Sequence, residues 1–331
     1  MMTKVVRLHQ TGDADVLKLE DIPLQEPKDN EVRISVKAIA LNRADIMFRQ
    51  GMYIEDPVFP ARIGYEASGV VDAVGSQVEQ FKVGEVVSTF SAFSMSQHGV
   101  YGETAIVPDR AVAHYPESLS FEEGASIWMS YLTAYGALNY YGQIDADDFV
   151  LITAATSTVG YSAIQLAKAV GATVIATTRT SAKKQRLFDA GADYVIATKE
   201  EDLASRVMEI SNKHGADIIF DAIAGTLLND LADAAATGAT IFVYGALDSD
   251  PTPFPILSAV GKGLNVRGYT MGELLADPEE FDKAKQYIYE SLESGVLQTN
   301  IDSRVFSIAE ISEAHRYMES NRQQGKIIVK V

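Results

Sequence analysis

The sequence predicts an α/β protein in which a β-rich, barrel-like part precedes a doubly wound parallel-sheet domain. Two observations predict it. Up to about Ser118 the chain reads as short strands broken by Gly, Pro and Asp, and from Ser120 strands alternate with helices. Residues 148–179 then read as one βαβ unit of about thirty residues, the crossover that a parallel pair requires.

In order, residues 4–8, 17–21 and 31–40 are strand candidates. In the third, Val32, Ile34 and Val36 alternate with charged or polar residues, which predicts one wet face. Residues 42–49 interrupt with a short helical stretch, and strands resume at 69–74, 85–89 and 104–108. Ser120-Phe121-Glu122-Glu123 is a capping box that starts a helix. After the βαβ unit come a helix at 181–190, strand 194–196, helix 201–211, strand 217–220, helix 225–236 and strands 240–244 and 264–269. The tail adds a helix at 278–292, a strand near Val305, a helix at 308–319 and a last strand at 325–331. The expected domains are 1–120, completed by 272–331, and 121–271. A crevice between two such domains is the default ligand site.

Within the βαβ unit, Val150 to Ile152 is an apolar, β-branched run, so a buried strand. Ile164, Leu166, Ala167 and Val170 recur at helical spacing, and Gly171 is placed to cap that helix. The turn between them faces the helix N-terminus, where free N–H groups and the dipole favour a phosphate. A dinucleotide fingerprint has glycine at three places; here Gly160 alone stands, with Thr156, Ser157, Thr158 and Val159 before it. A tight turn in any doubly wound protein is the plain alternative. After the second strand an acid ordinarily meets a free ribose 2′-hydroxyl. This chain instead has Thr178, Arg179, Lys183 and Lys184, with no acid until Asp189. A guanidinium with hydroxyls suits a 2′-phosphate, which favours NADP(H) over NAD(H). The alternative for Arg179 is a solvated loop charge.

Of 331 residues, 47% are hydrophobic and 22% charged, the balance of a globular chain long enough for two cores. The net charge of −17 argues against nucleic acid or an anionic membrane as partner. No apolar run is long enough to span a bilayer, and a cytoplasmic location is expected. The chain has no cysteine, which removes disulfides, thiolate zinc ligands and a cysteine nucleophile. The five histidines show no paired ligand spacing and are expected at the surface or at strand ends.

Several blocks carry a family resemblance. Leu41-Asn42-Arg43-Ala44-Asp45 with Arg49-Gln50-Gly51-Met52-Tyr53, Ile63-Gly64-Tyr65-Glu66-Ala67, Tyr131-Leu132-Thr133-Ala134-Tyr135, Phe220-Asp221-Ala222 and Gly325-Lys326-Ile327 together resemble the medium-chain dehydrogenase/reductase superfamily. The resemblance is to its zinc-independent quinone oxidoreductase and enoyl reductase branch and covers nearly the whole chain. It implies a GroES-like β-barrel catalytic domain and a Rossmann cofactor domain. Zinc alcohol dehydrogenases carry Cys and His where Asn42 and Tyr65 stand, so no metal is expected.

The resemblance further implies that Asn42 lies near the nicotinamide ribose or the substrate carbonyl. It places Tyr53 where related enoyl thioester reductases keep a proton donor; a wall residue is the alternative. Tyr65 is either a second hydroxyl at the site or a filler of the vacated metal position. Asp45 and Glu66 are expected to hold local structure. Thr133 would orient the carboxamide, and Tyr244, Gly245 and Ala246 would flank the cofactor. Phe90, Phe93, Met95, Trp128, Tyr131 and Met271 either line an apolar cleft or are core. The activity implied is NADPH-dependent reduction of a quinone or an α,β-unsaturated carbonyl, by a homodimer. A zinc-type alcohol dehydrogenase and a non-catalytic NADPH-binding protein are the competing possibilities.

Overall fold

The computed structural model describes residues 1–331. The chain begins with β1 (Met2–Arg7), β2 (Lys18–Pro23), β3 (Glu31–Ala40), α1 (Arg43–Gln50), β4 (Glu66–Val74) and β5 (Val86–Thr89). Next come α2 (Met95–His98), β6 (Thr104–Pro108), β7 (Val112–Ala113), α3 (Phe121–Gly124) and α4 (Trp128–Tyr135). The βαβ unit follows as β8 (Phe149–Ile152), α5 (Thr158–Ala169) and β9 (Thr173–Thr178). Then come α6 (Lys184–Asp189), β10 (Tyr194–Ala197), α7 (Leu203–Ile210), β11 (Ala216–Asp221), α8 (Leu227–Ala234) and β12 (Ala235–Val243). The remainder is α9 (Ile256–Lys262), β13 (Asn265–Gly268), α10 (Met271–Leu275), α11 (Pro278–Glu293), β14 (Ile301–Ser307), α12 (Ile311–Glu319) and β15 (Lys326–Lys330).

Two compact units result, Met1–Met129 with Thr299–Val331, and Ser130–Gln298. The expected boundaries lay at 120/121 and 271/272. The second differs because α11 packs with α10 in the second unit.

In the first unit a largely antiparallel sheet runs β14-β15-β3-β4-β5-β7, with β6 also paired to β3. The tail strands close onto β3 through β15, whose Ile328 stands opposite Ala40. The core gathers Val32, Ile34, Phe48, Ile63, Val107 and Ile327, all withdrawn from water. The expected wet face of β3 is a correction. Arg33 is buried because its guanidinium is matched by Asp72 at 2.6 Å and Glu26 at 3.1 Å, and Lys37 alone on that strand is exposed.

The second unit holds a six-stranded parallel sheet in the order β10-β9-β8-β11-β12-β13. Leu151, Ile175, Ile219 and Ile241 fill its buried layer. Two segments not expected as helices, α9 and α10, fall where Pro, Gly and short length hide the 3.6-residue period.

Candidate functional site

In the second unit the strand order reverses between β8 and β11, and ligands of open α/β sheets bind beyond the C-terminal strand ends at such a point. There Thr153 donates its hydroxyl to Asp221 at 2.6 Å. Asp221, fully buried, also accepts the N–H groups of Ile223 at 3.0 Å and Ala224 at 2.8 Å. The two loops are thereby tied together. Each contains an alanine with a left-handed backbone, Ala154 at φ 44° and Ala224 at φ 60°, a conformation that non-glycine residues adopt at a cost.

Helix α5 begins at Thr158, so half of the expected turn is already helical. Ser157 is its N-cap and accepts the Gly160 N–H at 3.0 Å. Thr158 and Val159 occupy the first turn, where N–H groups have no intrahelical partner. Gly160 is needed for packing: a Cβ there would sit 2.6 Å from the Ala155 Cα. Tyr244 stacks on Phe220 with centroids 4.0 Å apart, close to Ser157. Burial raises its phenol, and a hydrogen-bonding interaction with Ser157 offsets part of that rise. Gly245 is half-buried and Ala246 exposed beyond it.

Past β9, Thr178 is buried and Arg179 exposed. Burial lowers the Lys183 ammonium, and Arg179 and Arg186 lower it further, so the corner is positive. Neither Arg179 nor Lys183 is in an ion pair, whereas Lys184 is held by Glu201 at 2.6 Å. Thr133 is partly buried on α4. These residues fit a dinucleotide with a 2′-phosphate.

In the first unit, Asn42 caps α1. Its N–H donates to Asp45 at 2.8 Å, and its side-chain NH2 donates to Glu66 at 3.0 Å and to the Ala40 carbonyl at 3.4 Å. Lys326 donates to the Asn42 Oδ1 at 2.6 Å and to the Glu66 carboxylate. Glu66 and Lys326 are buried, and Glu66 also accepts the Met129 N–H at 2.8 Å. Burial pushes the Asp45 carboxyl up to about 7, and Tyr101 donates to it at 2.8 Å. Asp45 and Glu66 thus hold local structure. Tyr53 and Tyr65 lie with ring centroids 6.3 Å apart, and Phe93 follows Tyr65 at 5.4 Å. Tyr53 is partly exposed and Tyr65 is 5% exposed. Burial raises both phenols, so both stay protonated at neutral pH.

The residues present do not fit zinc. Asn42 and Tyr65 offer an amide and a phenol, and the amide oxygen already binds an ammonium whose charge repels a metal ion. Phe93 and Met95 belong to the first unit's core, and Trp128 is fully buried with its indole N–H on Ser88 at 2.8 Å. His315 is a correction to the expected surface histidines. It is fully buried edge-on to Tyr101, neither nitrogen is partnered, and burial beside Arg49 lowers it to about 3. Its spacing from Ile311 and Met318 on α12 is that of a core-facing stripe, a sign readable in the sequence. Lys326, directly before the apolar run Ile327-Ile328-Val329, was equally readable as a cation needing a buried partner.

Residues 28–117 match the family described as the alcohol dehydrogenase GroES-like domain, and residues 158–289 match the zinc-binding dehydrogenase family. A quinone oxidoreductase of Pongo abelii is 29% identical over 333 residues, 99% of this chain and 98% of that protein. One from Salmonella typhimurium is 29% identical over 331 residues, 99% of each chain. The crystal structure of Escherichia coli quinone oxidoreductase complexed with NADPH superposes with a TM-score of 0.90 at 27% identity, covering 99% of this chain and 100% of that one.

Proposed function

The chain belongs to the medium-chain dehydrogenase/reductase superfamily, in its quinone oxidoreductase branch, and from that membership we propose that it is a zinc-independent, NADPH-dependent reductase of a quinone or an α,β-unsaturated carbonyl. The observation that carries this reading is the Ser157-capped helix N-terminus at the point where the parallel sheet reverses order.

When bound, the dihydronicotinamide supplies a hydride. The N–H groups of Thr158 and Val159, with the hydroxyls of Thr156, Ser157 and Tyr244, would hold the pyrophosphate. Arg179 and Lys183, beside Thr178, would hold the 2′-phosphate. Thr133, Gly245 and Ala246 would flank the nicotinamide half. Asn42 would contact the cofactor or substrate. Tyr53, protonated and partly exposed, would donate a proton to the enolate that forms when an enone accepts hydride, with Tyr65 beside it. A quinone takes its proton from water. Tyr53→Phe should therefore lower enone reduction by about 10²-fold or more and spare quinone reduction. If neither rate changes, Tyr53 is not the donor.

The substrate is taken as a small apolar carbonyl compound or quinone. No helix is long and apolar enough to cross a membrane. The same proposal takes the protein as a cytoplasmic homodimer. Support for pairing comes from β13, an edge strand preceded by the exposed apolar side chains of Ile256, Leu257 and Val260. Sedimentation at micromolar concentration tests it; a monomer there refutes it.

A further inference from the structure

We propose that Asp221 is a buried negative charge that favours the oxidised, positively charged nicotinamide ring over the reduced one, and so tunes how readily the cofactor gives up its hydride. The inference rests on the NADPH reading and deepens it. Every residue it uses belongs to the second unit.

Asp221 ends β11, one of the two strands between which the sheet order reverses. It is fully withdrawn from water, and its partners are all uncharged. Thr153 donates its hydroxyl at 2.6 Å, because the same oxygen accepts the Ala222 N–H at 3.0 Å. The N–H groups of Ile223 and Ala224 complete the set at 3.0 and 2.8 Å. All three neighbours donate, and a carboxylate only accepts, so the group they fit is the anion. These bonds satisfy its oxygens without cancelling its charge. Buried carboxylates are ordinarily paired with a cation, and this one is not. Its field reaches the next strand end, where, after burial, it raises the Tyr244 phenol.

The topology says which half of the cofactor lies there. Arg179 and Lys183 follow β9 and take the 2′-phosphate of the adenosine half, and the α5 N-terminus, after β8, takes the pyrophosphate. The sheet continues from β8 to β11 and β12, so the nicotinamide half extends over the ends of β11 and β12, where Asp221 and Tyr244 stand. The phosphates carry the same charge in both redox states. The ring is neutral when reduced and gains one positive charge when oxidised, and a fixed anion in a low-dielectric layer tells the two apart.

The test is isothermal titration calorimetry of the full chain with NADP+ and with NADPH. The ratio of the Kd for NADP+ to the Kd for NADPH should rise at least about fivefold in Asp221→Asn and in Asp221→Ser, which remove the charge. Either neutral variant decides the outcome should the other fail to fold. Thr153→Val removes a hydroxyl and no charge, so it should weaken both nucleotides alike and keep the ratio within about twofold of wild type. A ratio unchanged in the neutral variants, or one that moves as far in Thr153→Val, overturns the role of the charge while leaving NADPH binding intact. Failure of wild type to bind either nucleotide overturns the cofactor reading and this inference with it.

Discussion

Gly160→Ala perturbs the βα turn at one atom. The new methyl would lie 2.6 Å from the Ala155 Cα and 2.9 Å from both the Ala154 oxygen and the Ala155 carbonyl carbon. All three are backbone atoms, so no rotamer change relieves the overlap. Helix α5 must move off the turn by several tenths of an ångström. Overpacking of this kind costs about 1–3 kcal/mol. The displaced turn of helix carries the Thr158 and Val159 N–H groups, so affinity should fall along with stability. Urea unfolding should show the loss, and fluorescence titration should show NADPH binding at least about tenfold weaker. Gly261→Ala in α9 is the control. Its added Cβ meets nothing within 4 Å, so stability should hold or rise by up to about 1 kcal/mol and binding should not change. Wild-type stability in Gly160→Ala would refute the packing argument. Lost stability with unchanged affinity would refute the assignment of this turn to phosphate.

Two further outcomes are expected. Arg179→Ala should weaken NADPH by about 10- to 100-fold, the value of a charge-assisted hydrogen bond, and leave NADH unchanged; equal losses for both refute the 2′-phosphate assignment. His315→Phe keeps the edge-on contact with Tyr101 and removes two unpartnered nitrogens. The folded-state value of about 3 lies below the ordinary 6.5, so the native fold holds this ring neutral. Its stabilising share is full above pH 6.5 and drains as pH falls toward 3. Thermal melts of His315→Phe should lose less stability than wild type across that window, and parallel acid slopes would contradict this.

The parallel sheet was legible because β8 and β10 are short apolar runs, β11 centres on Ile218, Ile219 and Phe220, and these strands alternate with helical periods. The βα turn at the start of α5 was legible through its small residues and Gly160. The covered face of β3 was not. Alternation of Val32, Arg33 and Ile34 says that a charge leaves the core side, and cannot say that Asp72, thirty-nine residues on, meets it there. The Asn42–Glu66–Lys326 cluster was hidden for the same reason. Its members stand on α1's cap, β4 and β15, and only the pairing of β15 with β3 and β3 with β4 brings them together. Asn42 and Glu66 drew notice through resemblance, and Lys326 only as a landmark of the final strand.

The most direct measurement is titration of chelator-treated protein with NADPH and with NADH, read by nicotinamide fluorescence. Tight binding of NADPH, much weaker binding of NADH and quinone reduction undiminished by the chelator are the predicted results. Binding of neither nucleotide, or activity that disappears with the chelator and returns with zinc, would contradict a metal-free NADPH-dependent reductase.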